Sequence, residues 1–303
     1  MTLKAVDISG RMRKRHRKMA VSNYLKGLAE IMTNSDQYYE DVEGDNLGLI
    51  KIFADSTKRE MRVIDNAIGI SRKAMETIFV DTGAKHDTHK KGGRSLFGKG
   101  LSDTLFSPIV SMGEVHSIKN GKYSYAIFIK KKDGKEFVDF KPDEAEMDIT
   151  QKIRNDLGIL EGNGTCIIFR LDKKTQFPRS KTMVEDIKNF YMLRFINSNP
   201  KRTISLKYKD THGVTNYPIE FIYPDDMQQA GEFLETEFKF SNYPSIKIKG
   251  KLYKTNKKLK QGEVHLEKRT GGLLIYDEYQ NVMDLQLFSF TDNPNARQFL
   301  GYL

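Results

Sequence analysis

The chain has 303 residues, 38% of them hydrophobic, and a formal net charge of +10. This suffices for one large core or two moderate ones, and no run of 18 apolar residues is present to span a membrane. The single cysteine, Cys166, excludes an internal disulfide and argues against a cysteine-based zinc site. Without an apolar signal core at its start, the chain reads as cytoplasmic.

The positive charge is concentrated. Residues 1–20 hold seven Lys or Arg against one Asp, and residues 247–260 hold seven Lys and no acid, which leaves the remainder slightly acidic. Such patches attract phosphate backbones or acidic surfaces. The first includes 11–18, RMRKRHRK, which reads as a nucleic-acid arm, as a strap ordered against a second protomer, or as a solvated lead-in to the first helix.

In chain order, a helix is expected over 19–39, with Val21, Tyr24, Leu25, Leu28, Ile31, Met32 and Tyr38 on its buried face. A second stripe at the same spacing, Asn23, Gly27, Glu30, Asn34 and Gln37, is polar or small. It fits either a helix face turned to a polar ligand or ordinary satisfied amides. Strands follow at 47–54 and 61–65, the second running into Asp65-Asn-Ala-Ile-Gly-Ile. Ser71 caps a short helix through Phe79. Residues 81–95 lack periodicity and read as a mobile loop. Gly98 and Gly100 then open a helix at Leu101. Strands at 109–118 and 122–131 flank an Asn120-Gly121 hairpin turn, and 132–160 reads as acidic and irregular. Gly164-Thr165 starts a strand through Leu171. A helix at 181–196 and strands at 203–209 and 217–223 close this region, and a domain boundary is expected near 225. Beyond it come strands at 236–240, 245–253, 272–277 and 284–290. The sequence stops within an apolar strand, which suggests a fragment of a longer protein.

Four segments stand in order: Glu30 with Asn34, Asp65 with Gly69, Gly98 with Gly100, and Gly164 with Thr165. Each alone is common; all four in register are specific. Their order and spacing resemble the GHKL ATPases, the superfamily of the DNA gyrase ATPase, MutL, the MORC proteins, the ninety-kilodalton heat-shock chaperones and histidine kinases. The resemblance covers residues 20–223. It implies an α/β two-layer sandwich, a mixed and mostly antiparallel sheet with helices on one face, holding nucleotide between the helices and a lid.

The resemblance also assigns roles. Asn34 becomes the Mg2+ ligand, and Glu30 the general base for the attacking water. Asp65 accepts from the exocyclic amine of adenine, Thr165 binds a water shared with it, and Gly69 lets the backbone pass the base. Gly98 and Gly100 cradle the phosphates of ATP at a helix start, with Lys99 and Ser102 adding contacts. Loop 81–95 corresponds to the lid, whose His86 and His89 read as solvated. Three departures stand out: Ala67 in place of the first glycine of Asp-x-Gly-x-Gly, Gln37 where relatives often carry aspartate, and Ser95 in place of a lid glycine.

Residues 226–303 look like a partial α+β transducer domain, with Lys251, Lys254 and Lys258 as fallback phosphate-contacting lysines. Lys247, Lys249 and Lys251 share one face of a strand, as a DNA-facing edge or an edge guarded against aggregation. The expected function is Mg2+-dependent ATP binding with slow hydrolysis, driving homodimerisation around DNA through 11–18 and 247–260. The alternative is a protein-directed, chaperone-like ATPase. A histidine kinase fits least, since those enzymes generally do without a hydrolytic Glu.

Overall fold

The computed structural model describes residues 3–5, 17–19, 21–40, 47–80, 100–131, 133–143, 145–240, 243–259, 270–276, 282–286 and 298–303. Arm residues 11–16, loop 81–95 with His86, His89 and Ser95, and the Gly98–Lys99 pair lie outside them. The chain divides into two compact units, Met1–Val184 with Asn199–Ile219, and Glu185–Ser198 with Glu220–Leu303. The second unit is thus discontinuous, with Glu185–Ser198 set apart from Glu220–Leu303.

The first unit is built on one sheet. After strand β1 (Leu3–Ala5), helix α1 (Tyr24–Glu40) begins where Asn23 accepts the Lys26 amide at 2.9 Å, satisfying a donor that a helix start leaves open. Its Leu25, Leu28, Ile31 and Met32 are buried as the spacing predicts. Strands β2 (Gly48–Asp55) and β3 (Glu60–Asp65) pair as a hairpin, and α2 (Arg72–Val80) follows Ser71, whose hydroxyl accepts the Ala74 amide. Helix α3 (Gly100–Leu105) precedes β4 (Val110–Lys119) and β5 (Lys122–Lys130). Between those strands Asn120 and Gly121 take φ of +51° and +76°, the left-handed pair that a tight hairpin requires.

Residues 132–160, expected to be irregular, contain β6 (Glu136–Lys141), β7 (Met147–Asp148) and helix α4 (Gln151–Leu157). In β6 the buried Val138 and Phe140 are masked by intervening charges, and Asp139 is itself buried. Thr150 caps α4, and Gly158 ends it at φ +75°. Next come β8 (Gly164–Leu171) and α5 (Ser180–Asn189). The single helix expected over 181–196 breaks at Phe190, and α6 (Arg194–Asn197) follows a short 3-10 turn. The Asn197 amide donates to the Ile187 carbonyl at 2.7 Å, so α5 stops through a side-chain contact that no local signal announces. The second half of α5 and all of α6 count with the second unit, and strands β9 (Arg202–Asp210) and β10 (Gly213–Ile219) complete the first.

The strand order is β1-β6-β5-β4-β8-β3-β2-β9-β10, with β7 beside β5. Every pairing is antiparallel except β2 with β9. This is the expected α/β architecture with a large mixed, mostly antiparallel sheet. Helix α1 packs on β2 and β3, α2 on β5 and β6, and α3 on β4. The short α4 sets Ile153 and Leu157 against Ile118, Tyr123, Cys166 and Ile168.

The second unit carries strands β11 (Gln228–Phe240), β12 (Tyr243–Lys254), β13 (Gly272–Tyr276), β14 (Val282–Gln286) and β15 (Phe299–Tyr302), in the order β11-β12-β15-β13-β14. The lysine-bearing β12 pairs with β11 along its length and with β15 over Lys251–Lys254, so the expected edge is covered at Lys251. Its register sets Lys247 opposite Glu237 and Lys251 opposite Glu232. Among the described residues, no helix is long and apolar enough to cross a membrane.

One buried ion pair fixes α1 to the sheet. Arg202 Nε on β9 lies 2.6 Å from Asp36 Oδ1, and its guanidinium stands 4.9 Å from the centre of the Tyr39 ring. Removing one partner strands the other charge. Arg202→Met should therefore cost about 3 kcal/mol in urea denaturation, and the Asp36→Asn/Arg202→Met pair less than the sum of the singles. Additive losses would show that the two residues act separately.

Candidate functional site

Residue by residue, α1 turns its second stripe to two different surroundings. Asn23 caps the helix, and Gly27 packs so closely on Thr104 of α3 that an added Cβ would sit 2.9 Å from its methyl. These two do not line the cleft. One and two turns further on, Glu30 meets Gly100, and Asn34 and Gln37 line a cleft. The cleft is narrow, with enclosed space of about 50 Å³, less than a typical small-molecule site. Asp65, Gly69, Gly100 and Thr165 share its wall with Asn34, and Ile78 and Ile167 supply apolar surface.

Asp65 ends β3 on the floor of this cleft and is only 4% exposed. Its Oδ1 accepts the amides of Ala67 and Thr165, each at 3.1 Å. Its Oδ2 accepts the Ser35 hydroxyl at 2.8 Å and the Thr165 hydroxyl. Burial pushes the carboxyl above its ordinary range, and these four donors oppose that shift. Ser35 has a second acceptor, the Ile31 carbonyl at 3.3 Å, so its hydroxyl has somewhere to turn if another donor takes Asp65. The strand end is pinned from behind. The Tyr39 hydroxyl donates to the Leu49 carbonyl at 2.6 Å and accepts the Asn66 amide at 3.0 Å.

The turn after Asp65 explains two sequence features. Gly69 holds φ of +66°, and a side chain there would collide with the Ile118 carbonyl. Ala67 donates its amide to Asp65 and is buried, so alanine serves where the first glycine of the pattern is missing. Ser117 of β4 accepts the Ile70 amide at 2.6 Å and holds the turn to the sheet.

Helix α3 brings a different chemistry. A Cβ at Gly100 would run into the Glu30 carboxylate, so the glycine leaves that side chain its present place. Burial, and then the nearby Asp103 carboxylate, raise the affinity of Glu30 for a proton. Ser102, expected beside phosphates, is instead buried because residues 101–105 of α3 are all enclosed, and its hydroxyl has no hydrogen-bond partner among the described residues. Cys166 is a core residue, its thiol pushed up by burial to about 12. Lys251, Lys254 and Lys258 belong to the second unit.

No protein-family model matches the chain, and no curated protein matches it. What the cleft can bind and do therefore rests on its own geometry.

The structure brings Asn34, Asp65, Gly69, Gly100 and Thr165 to one cleft and sets Glu30 beside it. Sequence reasoning missed Ser35, Tyr39, Ser117 and Asp103. Ser35 alone had a signal, a small hydroxyl next to Asn34 on a helix turned toward the strand that ends in Asp65.

The electrostatics of Glu30 give a direct check. A carboxyl whose folded pKa is raised is neutral in both states at low pH and penalises folding once it ionises. In the ligand-free protein, Glu30→Gln should raise the melting temperature relative to wild type at pH 8. The gain should vanish below about pH 4, near the unfolded glutamate value. A pH-independent difference would place Glu30 in a solvated setting.

Proposed function

We propose that the cleft of the first unit binds an adenine nucleotide with magnesium and that the chain hydrolyses ATP slowly, the reading that the GHKL resemblance implies. The observation that carries it is the buried Asp65 carboxylate, gathered by Ser35 and Thr165 on the floor of a cleft that Asn34 and Gly69 also line. A carboxylate suits the exocyclic amine of adenine, whereas guanine would present a carbonyl oxygen there and be repelled. The second acceptor available to Ser35 supports this, because the amine can take a place on Asp65 without stranding the hydroxyl. Thr165 bonds Asp65 directly, so the expected shared water belongs, in this reading, to the nucleotide-bound state.

Asn34 would hold magnesium through its amide oxygen, and the ion when bound supplies charge neutralisation on the phosphates. One neutral ligand is enough beside phosphate and water oxygens. Glu30 stands one turn before Asn34, and its raised proton affinity moves it toward the working pH of a general base. The run of lysines at 247–260 favours DNA as the macromolecular partner. Nucleotide-driven homodimerisation enters on the resemblance alone.

Calorimetric titration with a non-hydrolysable ATP analogue and Mg2+ tests the reading. Wild type should bind saturably, Asp65→Asn at least tenfold more weakly, and Asn34→Ala without dependence on magnesium. Glu30→Gln should keep binding and lose about 100-fold or more of its turnover. Normal binding by both Asp65→Asn and Asn34→Ala would refute the site. An ATPase rate indifferent to duplex DNA, with no salt-sensitive DNA binding, would favour the protein-directed alternative.

A further inference from the structure

Arg17 belongs to the basic N-terminal stretch, yet it is 3% exposed. Its Nε lies 3.1 Å from Asp103 Oδ1 on α3, and its Nη1 pairs with Glu136 at the start of β6. The guanidinium also stands 4.6 Å from the centre of the Phe106 ring, one residue past α3. A planar fork with an aromatic-compatible face can satisfy two carboxylates and a ring together, which lysine cannot. A second cation braces the segment that follows, since Lys130 donates to the carbonyls of Ser107, at 2.8 Å, and Val110.

Helix α3 has six residues, too few to hold its shape without tertiary support. Its opening residue, Gly100, touches Glu30 and lines the cleft, and its Thr104 packs against Gly27 of α1. Whatever fixes Asp103 therefore fixes how Gly100 meets Glu30.

We propose that Arg17 is a positioning residue for the Glu30–Gly100 end of the cleft, acting through Asp103 by clamping α3 between the segment before α1 and strand β6. The inference rests on the proposed role of Glu30 in activating water. It removes Arg17 from the residues of the arm available to nucleic acid, because its charge is spent inside the protein. Without this cation, Asp103 and Glu136 would each lose an ion-pair partner.

Hydrogen exchange of the ligand-free full chain, read together with steady-state ATPase kinetics, tests the clamp. Arg17→Met should speed exchange of the 101–106 amides at least tenfold and leave the 164–167 amides within twofold. It should lower kcat at least tenfold with KM changed less than threefold, since Asp65 and Thr165 are untouched. Arg17→Lys, which keeps one charge contact, should recover part of both effects. If Arg17→Met does not fold, Asp103→Asn must show the same local speeding of exchange. Unchanged exchange at 101–106, equal speeding at 164–167, or KM rising as far as kcat falls would overturn the clamp. A wild type that does not bind ATP would sink the ATPase reading instead, and the exchange pattern would still decide whether Arg17 holds α3.

Discussion

A carboxylate at the end of a central strand, out of reach of water, must be met by donors from its surroundings or lose its charge. Asp65 is met by four, and they come from three places: Ser35 on α1, Ala67 in the turn that follows, and the amide and hydroxyl of Thr165 on β8. Moving any of these elements would strand a buried charge. The contact therefore joins helix, turn and neighbouring strand into one rigid floor. The same arrangement makes the floor chemically specific. Every group around it donates toward Asp65, so an incoming ligand can enter the network only as a further donor, and Ser35 is the member with another acceptor to turn to.

The opposite end of the site works by enclosure and charge. Glu30 meets the start of α3, where glycine replaces bulk, and Asp103 adds a like charge to the cost of burial. Arg17 and Glu136 complete an alternating run of charges with Asp103 around the short helix. One end of the cleft is thus held by hydrogen bonds to an anion and the other by ion pairs that fix a helix. In the proposed reading, the first recognises a base and the second places a carboxylate beside phosphate.

Local pattern reached far in this chain. The burial spacing of α1, the β2–β3 hairpin, Ser71 as a helix cap and the Asn120-Gly121 turn were all legible because each depends on a few neighbouring residues. The mixed sheet, and a cleft lined by Asn34, Asp65, Gly69, Gly100 and Thr165, were expectations of the family resemblance that the four motifs carry. Strand β6 and helix α4 were hidden, since charges interrupt the apolar period of one and the other is barely two turns long. The break after α5 depends on Asn197 reaching back to Ile187, a tertiary contact without local trace. Ser102 stands two positions after Gly100 in the sequence, but the packing of α3 buries it. Arg17 looked like one more cation in a basic run, and only its partners at residues 103 and 136 distinguish it from its neighbours.

The central claim is that these residues converge on one adenine nucleotide. Chemical-shift mapping of isotopically labelled protein, titrated with a non-hydrolysable ATP analogue and Mg2+, tests it most directly. The account predicts saturable shifts clustered at 30–37, 65–70, 100–102 and 164–167, absent with the GTP analogue at equal concentration. Shifts lying outside those segments, or equal responses to both nucleotides, would contradict it.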